Sequence, residues 1–166
     1  MDIKEFIIAG LVDAHRMGDI AMEELTPKVA HFEAGGTANS IAQLLAHMTM
    51  GEDHAVNGIL KGGTRIFDTG GWSAKTGIPD GRGAVWQKDW QLNIDGFTAY
   101  RDAVKRSSIS YFETPAASDL DREVEAFGAP RKASNVVQIF VINHLLGHSG
   151  EISALKGIQG LKGLPF

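Results

Sequence analysis

Two histidines four residues apart, His144 and His148, followed three residues later by Glu151, stand in the segment SNVVQIFVINHLLGHSGEISALK between Ser134 and Lys156. Residues at i and i+4 of a helix lie on one face, roughly 5–6 Å apart at Cβ, so both imidazoles can aim at one point. The surrounding apolar residues, Val137, Phe140, Val141, Leu145, Ile152 and Leu155, recur at helical spacing and put the histidines on the buried stripe. Imidazoles and a carboxylate aimed into a core are costly unless something satisfies them. A divalent metal would do so. The pair is not diagnostic alone, because HxxxH lacks the glutamate of HExxH; Leu145 stands in that place, which excludes a zincin-type protease. Three histidines satisfied within a helical core, with no metal, are the competing account.

A third imidazole must come from another helix. His47 and His54 both lie in TANSIAQLLAHMTMGEDHAVNGILK, which reads as a helix from Thr37 to about Lys61 with its stripe at Ile41, Leu44, Leu45, Met48, Val56 and Ile59. At a rise of ~1.5 Å per residue the two histidines are separated by roughly 10 Å, so at most one can join the pair. His47, mid-helix and level with the pair in an antiparallel packing, is the choice. His15 and His31 have no ligand-type neighbour at helical spacing and read as surface or core-edge residues. Three imidazoles without a thiolate suit Zn²⁺, Ni²⁺ or Fe²⁺ and leave coordination positions open, the design of a catalytic site. Glu151 could close the site as a fourth ligand, orient a histidine from behind, or act as a base.

Two further helices complete the set. Residues 2–25 carry apolar positions Phe6, Ile7, Leu11, Val12, Ile20 and Leu25, with Pro27 expected to end the helix. Asn93 to Glu113 carries Ile94, Phe97, Tyr100, Val104, Ile109 and Phe112, with Pro115 soon after. Between the second and third helices runs Gly62–Gln91, with seven glycines and all three tryptophans, Trp72, Trp86 and Trp90. So long a connection is often a lid or binding loop, and it could equally pack its tryptophans over an open end of the helices. It is no phosphate loop, since no Gly-Lys-Ser/Thr follows. Residues 115–133 suit a short hairpin or an irregular crossover. The expected architecture is all-α: a four-helix bundle with a long Gly/Trp-rich connection between helices 2 and 3, in a single domain over residues 1–166.

Composition narrows the functional classes. Cysteine is absent, so there are no disulfides and no thiolate metal site. The net charge is −4 and no Lys/Arg cluster appears, which argues against nucleic acid as a partner. MDIKEFIIAGLVDAH lacks a basic leader region, and no apolar run is long enough to cross a membrane, so a cytoplasmic location is expected.

Two segments carry a family resemblance. SIAQLLAHMTMGEDH and NHLLGHSGEISALKGIQG resemble the metal-histidine helix and the HxxxHxG signature of the DinB-like (YfiT-like) family. The resemblance implies a four-helix bundle with a long crossover, often dimeric, and a metal triad at His47, His144 and His148. Relatives of that type include thiol S-transferases using bacillithiol or mycothiol, the mycothiol-dependent maleylpyruvate isomerase, and the iron-binding domain of ergothioneine-synthesising enzymes. The name of the family reflects induction by DNA damage and does not imply DNA binding. The implied function is metal-dependent thiol S-transfer or hydrolase-type chemistry on a small molecule, with a low-molecular-weight thiol as co-substrate and no catalytic side chain assigned. The alternative is a non-enzymatic metal- or ligand-binding stress protein whose metal is structural.

Overall fold

The computed structural model describes residues 3–81, 83–114 and 119–164, and it is mostly helical. Helix α1 spans Ile3–Ala21, and the one-turn α2 spans Pro27–Ala30. Helix α3 spans Ile41–Asp53 and runs on through a π-helical stretch, His54–Leu60. Two short helices, α4 (Ile66–Thr69) and α5 (Trp72–Thr76), precede a 3₁₀ turn at Ala84–Trp86. Helix α6 spans Ile94–Glu113. Strands β1 (Glu123–Ala126) and β2 (Ala129–Lys132) pair antiparallel, Glu123 opposite Lys132 and Ala126 opposite Ala129. The chain ends in α7 (Ala133–Val137), a second π-helical stretch at Gln138–Asn143, and α8 (His144–Ile158).

The long helices form a closed ring of contacts, in which α1 and α3 each pack against both α6 and α8. Leu11, Ile41, Leu45, Met48, Phe97, Tyr100, Val104, Phe112, Val141 and Ile152 fill the centre. The expected stripes of α3 and α6 are buried at Ile41, Leu44, Leu45, Met48, Phe97, Tyr100, Val104 and Phe112, while Ile94 and Ile109 are half-buried and Tyr111 joins the α6 face. In α1 Ile7 and Leu11 are buried as expected, joined by Ala14, His15, Met17, Gly18 and Ala21, while Phe6 and Val12 face outward at 64% and 47% exposure. Small residues let α1 approach its neighbours closely, and hydrophobicity alone did not mark that face. Pro27 does not end α1. It opens α2 with Thr26 as cap, because a proline at the first helical position lacks only an N–H that had no partner there. Helix α3 starts at Ile41, four residues later than expected, behind a capping box in which Ser40 Oγ accepts from Gln43 N and Gln43 Oε1 accepts from Ser40 N. Pro115 lies outside the described residues. Of the two expectations for residues 115–133, the hairpin is found at Glu123–Lys132, while residues 115–118 lie outside the described residues.

The long connection is anchored by buried polar groups. Asp53, fully buried, accepts from the backbone N–H of Ile66 and Phe67, from Asn57 Nδ2 and from the Tyr100 hydroxyl, and so fixes the start of α4 against α3 and α6. Burial, then the Asp53 charge, push the Tyr100 hydroxyl well above its usual range, which keeps it a donor. Across the ring, His15 of α1 meets both carboxylate oxygens of Glu52 of α3 at 2.9 and 3.1 Å. This corrects the surface or core-edge expectation for His15, which is 1% exposed. Its partner is 37 residues away, beyond any local pattern.

Replacing Asp53 by alanine strands four donors in the core. Unpaired buried donors cost about 1–3 kcal/mol each before relaxation. Asp53→Ala should therefore lose at least about 3 kcal/mol, on the order of 6–12 °C in Tm for a chain of this size. A thermal melt that shifts by less than about 2 °C would show that the anchor is not structural.

Candidate metal centre

Three imidazoles converge where α3 faces the start of α8. His47, His144 and His148 each offer a ring nitrogen, and these atoms lie within 4.8 Å of one another. His144 Nε2 sits 2.9 Å from His47 Nε2. The ring planes stand nearly perpendicular, at 77°, 78° and 83°, with centroids 4.5–5.0 Å apart. The i,i+4 spacing carries His144 and His148, and the packing of α3 on α8 brings His47 to them. The second π-helical stretch ends at Asn143, immediately before His144, and π turns of this kind are found frequently at functional sites.

The protonation of the rings suits ligands. His144 is driven down from the usual 6.5 to about 4, first by burial and then by the neighbouring His47 and His148. His47 is also lowered, by burial and then by His148, with Glu151 pulling weakly the other way. Neutral imidazoles present lone pairs, the form in which a metal binds them. A pair of neutral rings can share one proton between His47 and His144, but no such sharing satisfies three convergent nitrogens at once. A divalent ion at about 2.0–2.1 Å from each nitrogen would. The residues present fit such a group.

Two neighbours set the geometry. Glu151 Oε2 lies 3.1 Å from His148 Nδ1, so the carboxylate accepts from that ring and leaves Nε2 for the shared point. Metal-binding histidines are commonly oriented this way. Gly51, one turn after His47, makes room for the His144 ring. A Cβ there would stand 2.8 Å from His144 Cε1 and 3.2 Å from Nδ1. That Nδ1 is buried without a partner among the described residues.

The other histidines stand apart. His31 Nε2 accepts from Leu92 N at 3.0 Å, and its ring meets the edge of Trp90. His54 is exposed and packs against Phe127 at the hairpin tip. The groove beside it, with Arg65, Asp68 and Phe127, holds none of the three clustered histidines. Its Arg65 is already engaged by Asp68 through two hydrogen bonds at 2.6 and 2.8 Å, which leaves little to hold an anion. Position-specific features that spacing did not reveal are Gly51 and Trp86. The Trp86 indole lies 4.7 Å from the His47 ring, centroid to centroid.

A model of the DinB superfamily matches residues 11–152 of this chain, and that span includes all three histidines. The chain belongs to the DinB superfamily. It is similar in fold to a crystal structure of a conserved protein from Enterococcus faecalis, with a TM-score of 0.80 at 16% identity, over 96% of this chain and 99% of that one. At that identity the likeness speaks to the fold alone. No match is found among curated proteins. Superfamily membership and the histidine cluster together fit a metal-dependent protein.

Two outcomes follow from the geometry. Gly51→Ala should displace His144 and weaken Zn²⁺ binding by about 10–100-fold, the range seen when a ligand's supporting partner is lost. Helix stability should hold, because alanine favours the helix; unchanged affinity in a titration would contradict this placement of His144. The second outcome concerns pH. A histidine whose folded pKa is depressed takes up protons in the unfolded state first, so stability falls as pH drops through the interval between the two values. The metal-free protein should lose stability between about pH 6.5 and 4, through His144 and with the same sign through His47. His144→Gln should flatten that slope in denaturant melts taken across the interval.

Proposed function

We propose that this chain is a metal-dependent enzyme of the DinB/YfiT-like four-helix-bundle type, with an open site of three histidines acting on a small molecule. Thiol S-transfer is the favoured chemistry and metal-assisted hydrolysis the runner-up. The observation that carries the reading is the convergence of His47, His144 and His148, with Glu151 turned toward His148 instead of the shared point. An ion such as Zn²⁺, Ni²⁺ or Fe²⁺, when bound, would acidify a thiol or water and so supply a nucleophile at neutral pH.

The chain's own residues divide the remaining work. His47, His144 and His148 supply neutral donors from two helices. Glu151 holds the His148 ring by accepting from Nδ1. At 58% side-chain exposure it also has access to solvent, so it can take up the proton that an arriving thiol or water gives up. In thiol transfer the sulfur forms a bond to an electrophilic carbon, that carbon's leaving group departs with the bonding pair, and the thiol's proton leaves through the base. A low-molecular-weight thiol fits as co-substrate. The acidic balance of the chain gives nucleic acid no role, and the absence of a long apolar helix among the described residues gives a membrane none; a cytoplasmic setting suits thiol chemistry. The outward Ile3 and Phe6 on α1, Ile139 in the second π-helical stretch and Leu146 on α8 favour a homodimer.

The alternative of a structural metal in a non-enzymatic protein requires a fourth protein ligand. Glu151 was the candidate, and its bond to His148 counts against it.

Metal content of untagged wild type and His144→Ala, purified side by side, tests the reading. Near-stoichiometric Zn, Ni or Fe in wild type and its loss in the variant are expected, followed by thiol consumption when small electrophiles are added. Wild type that carries no metal and takes none up from micromolar Zn²⁺ or Ni²⁺ would overturn it.

A further inference from the structure

We infer that Trp86 is the specificity-determining wall of the three-histidine site, selecting molecules that carry a flat apolar group close to the atom that enters the site. The inference rests on the metal-centre reading above and adds the class of molecule that the centre admits.

Trp86 is exposed where the other two tryptophans are not. Trp90, four residues on, is 8% exposed and Trp72 is partly buried, whereas Trp86 remains 39% exposed. The same connection therefore had apolar surroundings to offer, and this one indole was left at the surface. The backbone that carries it is tied down. Gln43 Nε2 donates to the carbonyls of Trp86 and Gln87 at 2.9 and 3.1 Å, and Trp90 Nε1 donates to the Val85 carbonyl. Val85 itself is buried, 7% exposed. Gly83 enters the turn at φ 78°, a left-handed conformation that other residues adopt only at a cost. Gln43 is the residue that also closes the cap of α3, one turn before His47. The helix that supplies His47 therefore also fixes the backbone from which the indole extends.

The rim of the site is asymmetric as a result. On the His47 side stands an aromatic face, with ring centroids 4.7 Å apart and the planes tilted by 48°. On the His148 side stands the Glu151 carboxylate, 58% exposed. A molecule approaching from solvent meets an apolar wall at one edge and an acid at the other. An aromatic side chain on an anchored backbone has only two rotatable bonds, so it gains contact area with little loss of side-chain freedom on binding, which is how aromatic anchors confer selectivity. The matching ligand is a thiol or comparable donor with an aromatic or other planar group one or two carbons from the donor atom, and without a negative charge at its polar end.

The test uses the full chain loaded with Co²⁺, whose visible absorption changes when a thiol joins its coordination sphere. The probes are ethanethiol and 2-phenylethanethiol, which share a donor and differ by the ring. Wild type should bind the phenyl thiol tighter by about 10-fold, as expected for an aromatic contact added to the area it covers. In Trp86→Ala the preference should shrink to about 3-fold or less, with ethanethiol affinity and Co²⁺ occupancy retained, while Trp86→Phe should keep most of the preference. A merely structural tryptophan would alter both thiols together, and that outcome overturns the inference. So does a preference that is absent in wild type or survives in Trp86→Ala. In either case Co²⁺ and thiol binding by wild type would leave the metal-centre reading standing. If wild type takes up no Co²⁺, both fall.

Discussion

Three imidazoles held with their nitrogens toward one point repel one another as soon as two of them are charged. That constraint organises the α3–α8 seam. Burial and mutual repulsion keep His144 neutral to about pH 4, and the surrounding structure has to tolerate lone pairs that face each other instead of donors. Two devices make this possible. Gly51 removes the side chain that would have filled the His144 position, and Glu151 draws the proton of His148 to the outer nitrogen. The site is thus built as much by what α3 omits as by what α8 presents.

The seam depends on a scaffold with polar fasteners in its core. His15 and Glu52 tie α1 to α3 across the ring of helices, and Asp53 ties α3 to α4 and α6. Lys156, 1% exposed, donates to the Glu23 carbonyl just past the end of α1, where a cation is favoured by the helix dipole. These groups are more specific than apolar contacts, because an amine or carboxylate is satisfied in one position and penalised in others. They hold α3 in the register that puts His47 opposite the histidine pair. Glu52 and Asp53 directly follow the Gly51 notch, so the clearance for His144 and two of the fasteners occupy three consecutive positions.

Much of this was legible in the sequence where the interactions are local. The i,i+4 pair and Glu151 share a helix face; rise per residue allows only one of His47 and His54 to join them, and the mid-helix depth of His47 in an antiparallel packing selects it. The helical class, the stripes of α3 and α6 and the irregular connection follow from periodicity and glycine content in the same way. Features that depend on partners far along the chain were not legible. His15 reads as a surface or core-edge residue because its partner, Glu52, lies 37 positions away. Gly51 carries no signal as a notch until the ring that fills it is known. Pro27 looked like a terminator because its role at the first position of α2 depends on a turn that spacing does not reveal. The π-helical stretches replace what reads as uninterrupted α-helix, since Val137, Val141 and Leu145 are four apart, a spacing that keeps them on one buried face in either kind of helix.

The central claim is that three histidines and no other side chain hold the metal. X-ray absorption at the zinc edge of Zn²⁺-loaded wild type tests it most directly. The expected result is three imidazole nitrogens at about 2.0–2.1 Å, with the remaining position held by a light atom that is replaced by sulfur when a thiol is added. A sphere that keeps a carboxylate in the fourth position and never admits sulfur would contradict the account and make the metal structural.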